Sequence, residues 1–445
     1  MHAVLLVTAL FAVAPETPEG QDWPGFLGVR RDSATIEVVA PWGESGPPLL
    51  WSIERGESYA SPVVIGDRVV FTHRIDDVSH VDCLDRATGQ RHWRHSFPTT
   101  YSGEYIRNSG PRATPVVADD TVFVHGIEGE MIALALETGD VEWERDLTKE
   151  LGAPESFFGV VASPLVVDDV VIANVGATGG PCVVALDRRT GETVWGAGDE
   201  WGASCASPVA ATIHGRDRVL VVTGGKTRPP TGGLMVIDPA NGDVDFSFPF
   251  RSKTYTSVNG ASPVVVGDAV FLTASYSTGS VMLDLDADGG FAERWKKRRF
   301  GLQFGTPIVH DGALYCVEGS AGLIGAITRL DPADGTVSWR TEIDETIEFE
   351  VGDTKRKMDM SVGEGALTML GDGRLLCLGD TGLLVLLEVG DTGARVLAKH
   401  AGWFAPDTWT PPVVARGTLL LAQNSVCRFT EATPRLLAYD VRAEQ

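Results

Sequence analysis

The sequence predicts an all-β protein in which eight four-stranded antiparallel units close into a ring, an eight-bladed β-propeller. Three observations lead to this prediction. A short phrase recurs about every fifty residues, as in ASPVVIGDRVVF at 60–71 and ASPVVVGDAVFL at 261–272. Most copies are followed by a second pattern, in which a turn with Asp and Gly leads to an aromatic residue. The chain also begins with a strand of the kind that its last repeat lacks.

The repeated phrase carries a Ser/Thr-Pro pair, which marks the start of the first strand of a unit. Pro cannot donate a hydrogen bond to a strand ladder and is tolerated at the first residue of a strand. The segments that follow are rich in β-branched and aromatic residues and are joined by tight turns, so four short strands fit in each unit. A degenerate copy lies near Ala366. The other seven units are anchored on Pro62, Pro115, Pro164, Pro208, Pro263, Pro307 and Pro411.

A turn motif follows in most units and is clearest in ALDRRTGETVW at 185–195, where Asp187 precedes Gly191 and Trp195. The Asp side chain can accept N–H groups of the turn, and Gly supplies the positive φ that the turn needs. The aromatic ring is expected to be a core wedge between neighbouring units. In the second unit, Ala135 replaces the Asp. The corresponding residues elsewhere are Asp85, Gly89, Trp93, Gly139, Trp143, Asp238, Gly242, Phe246, Asp331, Gly335 and Trp339.

The two ends of the chain favour a closed ring over an open solenoid. The last unit stops after three strands, and residues 48–54, which contain Trp51, read PLLWSIE and supply a fourth strand. Pairing this strand with the segment around Leu437 closes the ring and removes the open sheet edge that a solenoid has to cap. The predicted organisation is therefore a lead segment at 15–48 followed by a propeller at 49–442.

Composition and the N-terminus restrict the size class, the binding partners and the cellular location that we expect for this protein. A chain of 445 residues exceeds the usual size of a single core, which agrees with a core distributed over repeats. Its net charge of −23 repels nucleic acids. Residues 1–14 are apolar over a length typical of a signal peptide, and no Cys precedes Cys83 to carry a lipid. We expect a periplasmic or secreted monomer.

Cysteine and histidine positions do not predict a metal site. Six cysteines lie far apart, and buried thiols are favoured for those inside strand patterns, although disulfides remain open. The His residues of the first unit are interpreted as exposed strand and turn positions rather than metal ligands. The cysteines are Cys83, Cys182, Cys205, Cys316, Cys377 and Cys427, and the histidines are His73, His80, His92 and His95.

The turn motif, with Ala185, Asp187, Thr190, Gly191, Glu192 and Trp195, resembles the tryptophan-docking repeat of PQQ-type, or quinoprotein-like, β-propellers. That group includes PQQ-dependent alcohol dehydrogenases and non-catalytic assembly factors of the BamB type. The lead DWPGFLGVRRDSA at 22–34, together with GPRATPVV and WTPPVV, resembles exported PQQ-like repeat proteins of bacteria. The resemblance covers most of residues 49–442 and implies the fold, whereas a common fold leaves the function open.

In such a ring, the loops that precede each Ser/Thr-Pro pair open on one face, around the central channel. One Arg, one Asn, one Glu and three aromatic residues that converge on this mouth have the composition of a small-molecule site. The alternative is that these residues only seal a wet channel. The predicted mouth residues are Tyr59, Arg112, Val161, Cys205, Asn259, Phe304, Glu364 and Trp409.

The resemblance to the dehydrogenases implies roles for some of these residues. Glu364 and Asn259 could supply oxygens to calcium, Arg112 could pair with the quinone, and Trp409 or Phe304 could stack on its ring. The chain lacks the adjacent Cys-Cys pair and the extra loops of those enzymes. We therefore assign no catalytic residue, metal ligand or cofactor, while PQQ and calcium stay open.

The functional prediction is an exported binding or assembly scaffold that acts through its channel mouth or its blade edges. Its partner would be an unidentified protein, small molecule or glycan. The alternative is a PQQ- and calcium-dependent oxidoreductase acting on alcohols or sugars, and a third reading is a sugar- or peptide-binding module.

Overall fold

A computed structural model describes residues 20–103, 108–177, 179–319, 325–351, 354–401, 408–425 and 433–442. Eight four-stranded antiparallel sheets follow one another along the chain and form the blades of a propeller. The predicted fold class is confirmed, including the number of blades and of strands in each blade. In the first seven blades the strands pair in chain order from the channel outward, and hydrophobic clusters fill the spaces between neighbouring blades.

The first four blades contain β2 to β17 and a short helix. The strands of the first and second blades are β2 Val63–Ile65, β3 Arg68–Ile75, β4 Val78–Asp85, β5 Arg91–Pro98, β6 Val116–Ala118, β7 Thr121–His125, β8 Glu130–Ala135 and β9 Val141–Asp146. After α1 Leu147–Leu151, the third and fourth blades contain β10 Leu165–Val167, β11 Val170–Asn174, β12 Val183–Asp187, β13 Thr193–Ala197, β14 Val209–Ile213, β15 Arg216–Val222, β16 Gly233–Ile237 and β17 Val244–Pro249.

The other blades contain β18 to β25, β28 to β34 and β1, and a separate hairpin contains β26 and β27. The fifth and sixth blades contain β18 Val264–Val266, β19 Ala269–Ala274, β20 Gly279–Leu285, β21 Phe291–Lys297, β22 Ile308–His310, β23 Ala313–Glu318, β24 Ala326–Leu330 and β25 Val337–Glu342. The hairpin and the seventh blade contain β26 Asp344–Val351, β27 Thr354–Ser361, β28 Ala366–Met369, β29 Leu375–Leu378, β30 Leu384–Val389 and β31 Ala394–His400. The eighth blade contains β32 Val413–Ala415, β33 Thr418–Ala422, β34 Arg435–Asp440 and β1 Leu49–Glu54.

The ring closes in the eighth blade, where the first strand of the chain pairs with the last. β1 is the outermost strand of this blade and runs antiparallel to β34, with Trp51 opposite Ala438 and Ser52 opposite Leu437. The predicted closure is therefore confirmed.

Hydroxyl groups of the Ser/Thr-Pro pairs link successive blades around the channel. The backbone N–H of Ser61 donates to Thr114 Oγ1 at 3.0 Å, and the N–H of Thr114 donates to Ser163 Oγ at 2.8 Å. The same bond joins Ser163 to Ser207, Ser207 to Ser262 and Ser262 to Thr306. A hydroxyl at this position satisfies a buried N–H of the preceding blade, which explains why Ser or Thr precedes the Pro.

The tryptophans of the turn motif connect the outer strands of the blades. The indole N–H of Trp143 donates to the Arg188 carbonyl in the turn of the next blade at 2.9 Å. A Cβ on Gly191 of that turn would lie 2.7 Å from the same indole ring, and φ of Gly191 is +73°. Gly is therefore required there both for its backbone conformation and for the close approach of the ring. Equivalent indole bonds are made by Trp51, Trp93, Trp195, Trp295 and Trp339.

A two-stranded hairpin, β26 with β27, is inserted between the sixth and seventh blades and was not predicted from the sequence. In the sequence, a GD pair at 352–353 stands between these two strands and is a turn signal that the prediction did not use. Ile347 and Met358 pack against the hydrophobic cluster between these two blades, while Lys355, Arg356 and Lys357 are exposed.

The lead segment lies across one end of the channel. Trp23 forms a two-way backbone bridge with Val64 of the first blade, and the Ser33 carbonyl accepts from Met369 N–H of the seventh. The guanidinium of Arg31 is buried and donates to the carbonyls of Ser163, Pro164 and Pro208, in the third and fourth blades. The lead thereby stabilises inner strands on opposite sides of the ring.

The cysteine prediction is confirmed for Cys83, Cys182, Cys316 and Cys377, which are buried free thiols. Cys205 is also a free thiol and is partly exposed, whereas Cys427 lies outside the described residues. Among the residues that the structure describes, no cluster of His, Cys, Asp and Glu could hold a metal ion.

The expectation of an exposed position is wrong for His73, which is 1% exposed. Its Nδ1 accepts the Gly56 N–H at 2.8 Å, and its Nε2 lies 3.2 Å from Oδ2 of Asp82. Arg94 donates to both oxygens of that carboxylate. Burial alone would raise the pKa of Asp82, but the hydrogen bonds from Arg94 and His73 outweigh it and lower the pKa to about 2. The strand alternation did not reveal this buried polar cluster because it contains the same residue types as an exposed face.

Stability should fall as the pH drops from about 6.5 to about 4, partly through His125, which is 2% exposed and whose pKa burial lowers to about 4. In this window the unfolded chain binds a proton at His125, because its ordinary pKa is 6.5, but the folded protein does not. We expect a loss of roughly 3 kcal/mol in the free energy of unfolding from this residue.

Urea unfolding at several pH values checks this expectation, with His125→Gln as the matched variant. The side chain of Gln can donate a hydrogen bond but does not titrate in this range. The difference between the two proteins should therefore shrink or reverse as the pH falls. Parallel curves for the two proteins would contradict the assignment.

Candidate functional site

A cavity of about 470 Å³ lies at the mouth of the central channel. The loops that precede the inner strands surround it, as the spacing of the repeats predicts. Its lining is mostly aromatic and aliphatic, with one guanidinium, one thiol and several hydroxyl groups. The lining residues are Phe26, Tyr59, Arg112, Phe157, Phe158, Val161, Ser163, Cys205, Ser207, Thr256, Gly260, Tyr276, Phe304, Trp409, Thr410 and Pro411.

The lead segment provides the floor of this cavity. Phe26 lies between Trp23 and Arg31, which are bound to inner strands of the ring, and its side chain lines the cavity. The hydroxyl groups of Ser163 and Ser207, which link the blades, surround the cavity just above this level. The lead segment and the inter-blade hydroxyl groups therefore both belong to the lining of the cavity.

Three predicted mouth residues form one aromatic stack in the wall. Trp409 stacks on Tyr59, with ring centroids 5.2 Å apart, and on Phe304, with centroids 4.8 Å apart. Since its neighbours in the stack are protein rings, Trp409 offers the cavity its edge more than its faces. The stack fixes the orientation of three large side chains that come from the eighth, first and sixth inter-blade loops.

Arg112 lies next to Tyr59 in the same wall of the cavity. Its guanidinium carbon lies 5.4 Å from the ring centroid of Tyr59 and 5.3 Å from that of Tyr101. Nη1 donates to the Gly110 carbonyl at 3.0 Å and Nη2 to the Asn108 carbonyl at 2.9 Å, and the side chain is buried. Burial lowers the pKa of Arg112, so its positive charge is poorly solvated at this position.

Cys205 lies in the same wall, and the charges of Arg112 and Arg251 act on its thiol. Burial raises the pKa of the Cys205 thiol to about 12, although the charges of Arg112 and Arg251 act in the opposite direction. The thiol is therefore protonated near neutral pH and is a poor nucleophile. Its role in the cavity is that of a small, polarisable wall group.

The rim of the cavity carries further cations next to aromatic rings. The ammonium group of Lys226 lies 5.4 Å from the ring centroid of Phe157, and the guanidinium of Arg228 lies 3.9 Å from that of Tyr255. Tyr255 in turn packs edge-on against Phe157 at 5.2 Å.

Two of the predicted mouth residues do not line the cavity. Asn259 is 2% exposed, and its amide Nδ2 donates to the carbonyls of Thr223 and Phe250, both at 2.9 Å. It supports the loop from beneath, while its neighbour Gly260 lines the cavity. Glu364 lies in the turn before β28, where burial and the charge of Asp380 raise its pKa. The structure brings the other six predicted residues together.

These residues do not fit a PQQ and calcium site of the kind that the resemblance implies. Within the described ranges, no carboxylate or carboxamide lines the cavity, whereas calcium needs several such oxygens and a dehydrogenase needs a base. Trp409 already packs between Tyr59 and Phe304, so it cannot sandwich a quinone without a rearrangement of the stack.

Several lining residues escaped the sequence analysis. Phe26 precedes the first repeat, and Phe157, Phe158, Thr256 and Tyr276 lie in inter-strand loops rather than directly before a Ser/Thr-Pro pair. The aromatic pair FF at 157–158 in a polar loop is the one signal that could have pointed to the site.

The profile of the family described as "Outer membrane protein assembly factor BamB" matches residues 77–341. The chain is 29% identical over 153 residues to outer membrane protein assembly factor BamB of Yersinia pestis, covering 33% of this chain and 35% of that protein. It is 26% identical over 188 residues to 1-butanol dehydrogenase (cytochrome c) of Thauera butanivorans, covering 40% of this chain and 26% of that protein. The matches thus span about a third and a quarter of these two relatives.

A solved structure, the quinohemoprotein alcohol dehydrogenase from Comamonas testosteroni, has a TM-score of 0.60 at 14% sequence identity, covering 95% of this chain and 81% of that chain. At this identity the similarity extends to the fold alone. In the part of the chain that is described, no helix is long and apolar enough to cross a membrane. The family profile, in contrast, covers more than half of the sequence. The chain therefore belongs to the BamB family of PQQ-type β-propellers.

Proposed function

We propose that this protein is a binding propeller, a scaffold without a reaction of its own, and that its contact site is the cavity at the channel mouth. The observation that carries the proposal is the lining of that cavity. It combines apolar and aromatic walls with one buried guanidinium and, among the described residues, no carboxylate. Such a lining suits binding, whereas a carboxylate base or a catalytic calcium ion needs carboxylate oxygens that the described lining does not supply.

The family adds support, since its description names an assembly factor and one of the two relatives bears the same name. Export of the protein to the periplasm or beyond is part of the proposal and rests on the apolar stretch at 3–14. An aromatic cavity on a rigid ring presents the same geometry to every ligand, which is what a scaffold needs.

The alternative is a PQQ- and calcium-dependent oxidoreductase acting on alcohols or sugars, which the sequence similarity to 1-butanol dehydrogenase (cytochrome c) favours. Titration of the purified protein with PQQ and calcium separates the two functions. Cofactor absorbance and dye-linked oxidation of alcohols and sugars are followed together. We expect no saturable oxidation. Stoichiometric uptake with turnover, lost in Arg112→Ala, would replace the scaffold by the enzyme.

The contact surface itself can be tested by photo-crosslinking in cells that produce the full chain. A photoreactive phenylalanine replaces Thr256, which is exposed and lines the cavity, or Val194, which is exposed on the outer strand β13. Crosslinked products are expected at position 256 and not at 194. Products at 194 alone would move the contact surface to the blade edges, and none at either position would contradict the proposal.

A further inference from the structure

The outer strands of the fourth and fifth blades, β17 and β21, meet without the tryptophan contact that joins most other neighbouring blades. At the position of the tryptophan, β17 has Phe246, which cannot donate a hydrogen bond to the turn of the fifth blade. A Cβ on Gly289 of that turn would have atoms of Asp245 as its nearest neighbours, at 3.6 Å, whereas a Cβ on Gly191 would lie 2.7 Å from the indole of Trp143. No aromatic ring therefore covers Gly289 as closely as the indole covers its turn.

Three phenylalanine rings occupy this junction and remain partly accessible. The ring centroid of Phe291, at the start of β21, lies 5.1 Å from that of Phe246 and 5.2 Å from that of Phe248. Phe291 is 39% exposed, and the other two rings are half-buried. We call these three residues the phenylalanine patch. Aromatic rings that remain accessible in a group are typical of a contact surface between proteins.

Positive charges lie at the other end of β21 and in the turn that follows it. The ammonium group of Lys296 lies 6.0 Å from the centroid of one ring of the phenylalanine patch, and 3.9 Å from a carboxylate oxygen of Glu293. Lys297, Arg298 and Arg299 are exposed and form no ion pair with the carboxylates that the structure describes. Three unbalanced positive charges on a chain with a net charge of −23 favour a partner that is acidic at this point.

The backbone of β21 is also available to a partner. β21 is the last strand of its sheet, so one of its edges has no neighbour among the strands that the structure describes. Such an edge presents N–H and C=O groups that an extended segment can pair with. The distance along the chain from Phe291 to Arg298 corresponds to roughly 20 Å of extended backbone. One short extended segment can therefore pair with β21 and reach both the phenylalanine patch and the cationic turn.

We propose that β21 binds an extended segment of a partner protein as an added strand, with apolar side chains on the phenylalanine patch and acidic side chains on Arg298 and Arg299. This contact lies on the outer wall of the ring and is separate from the cavity at the channel mouth. A membrane surface fits less well, because Phe246 and Phe248 are half-buried and a flat bilayer cannot pair with a strand edge. Repulsion between two chains that each carry a net charge of −23 disfavours a second copy.

Binding of labelled peptides to the full chain, measured by fluorescence anisotropy, tests the proposal. In the acidic peptide, valine alternates with threonine after a run of N-terminal glutamates, which antiparallel pairing places beside Arg298. A second peptide has lysines in place of the glutamates. In a third, proline replaces each threonine of the acidic peptide and prevents strand pairing. We expect the acidic peptide to bind with a dissociation constant at least about tenfold lower than those of the other two, and its advantage over the lysine peptide to shrink as salt is added.

Variants with matched controls locate the contact. Arg298→Glu combined with Arg299→Glu should weaken the acidic peptide by at least about tenfold, and Phe291→Ser should weaken it by about tenfold. Val337→Ser, at the start of the outer strand β25 and 43% exposed, is the control for the apolar contact. Arg395→Glu, exposed on the outer strand β31, is the control for the charge. Neither control should change the affinity. All of these side chains are exposed, so we expect the variants to fold, and circular dichroism checks this.

Several outcomes would overturn the proposal. These are equal affinities for the acidic and the lysine peptide, equal affinities for the acidic and the proline peptide, and acidic binding that survives both charge reversals. Flotation with vesicles of phosphatidylglycerol and phosphatidylcholine that is lost in Phe291→Ser would replace the segment by a membrane surface. A dimer in sedimentation that is lost on charge reversal would replace it by a second copy. The scaffold function at the channel mouth is tested separately by the crosslinking at Thr256, which does not involve β21.

Discussion

Ile53→Pro is expected to lower the free energy of unfolding by about 3 kcal/mol or more and to expose an open blade edge. The reason is the direction of the backbone in β1, the strand that closes the ring. The N–H of Arg55 donates to the Pro434 carbonyl at 2.9 Å, and alternate residues of a strand point to the same side. The N–H of Ile53 therefore faces β34, where Leu436 lies opposite, and Pro at this position loses that bond.

Glu54→Pro is the matched control. Glu54 is the next residue of the same strand, so its N–H points away from β34 toward the outer side of the blade. We expect a much smaller loss of stability for this variant. Urea unfolding followed by circular dichroism measures both, and size-exclusion chromatography detects the association that an unpaired edge promotes. Equal losses in the two variants would contradict the role of β1 as the closing strand.

Trp143→Ala should cost about 3 to 5 kcal/mol of unfolding free energy, because it empties the space between the second and third blades. The indole is 8% exposed, its ring centroid lies 6.0 Å from that of Phe123, and its N–H bonds to the turn of the next blade. Removal of the side chain therefore loses apolar burial and leaves the Arg188 carbonyl without its donor.

Two further variants divide this effect. Trp143→Phe keeps an aromatic ring and loses the N–H, so it should cost about 1 to 3 kcal/mol. Val141→Ala, on the same strand but 46% exposed, should change stability by less than about 0.5 kcal/mol. Thermal and urea unfolding of the three variants provide the comparison. A loss for Trp143→Ala no larger than that for Val141→Ala would show that blade docking does not depend on the tryptophan.

The fourth blade agrees with the intermediate loss of stability that is expected for Trp143→Phe. It has Phe246 at the position of the tryptophan, and this side chain is half-buried against Phe291 at 5.1 Å. The ring of blades is thus complete although two blades lack a side-chain donor at this position, the fourth with Phe246 and the seventh with Ala398.

The sequence by itself determined the parts of this protein that depend on local chemistry. The repeat period, the strand starts at the Ser/Thr-Pro pairs and the turns of the Asp and Gly motif all follow from short-range preferences, and these preferences repeat often enough to be counted. Ring closure could also be predicted from the sequence, because the last repeat lacks one strand and the segment around Trp51 supplies it. For the same reason, six of the eight predicted mouth residues line one cavity: their positions within the repeat place them on one face of the ring.

Only the tertiary structure decided which contacts and hydrogen bonds these side chains make. Asn259 and Glu364 occupy the same position in the repeat as the lining residues. The side-chain amide of Asn259, however, donates to two backbone carbonyls, and Glu364 belongs to the degenerate blade. The stacking of Trp409 between its neighbours and the position of Phe26 in the cavity lining join residues that are far apart in the chain. Repeat position determines which loop a residue occupies, whereas contacts between different blades determine where its side chain points. The lining of the cavity is a property of the closed ring.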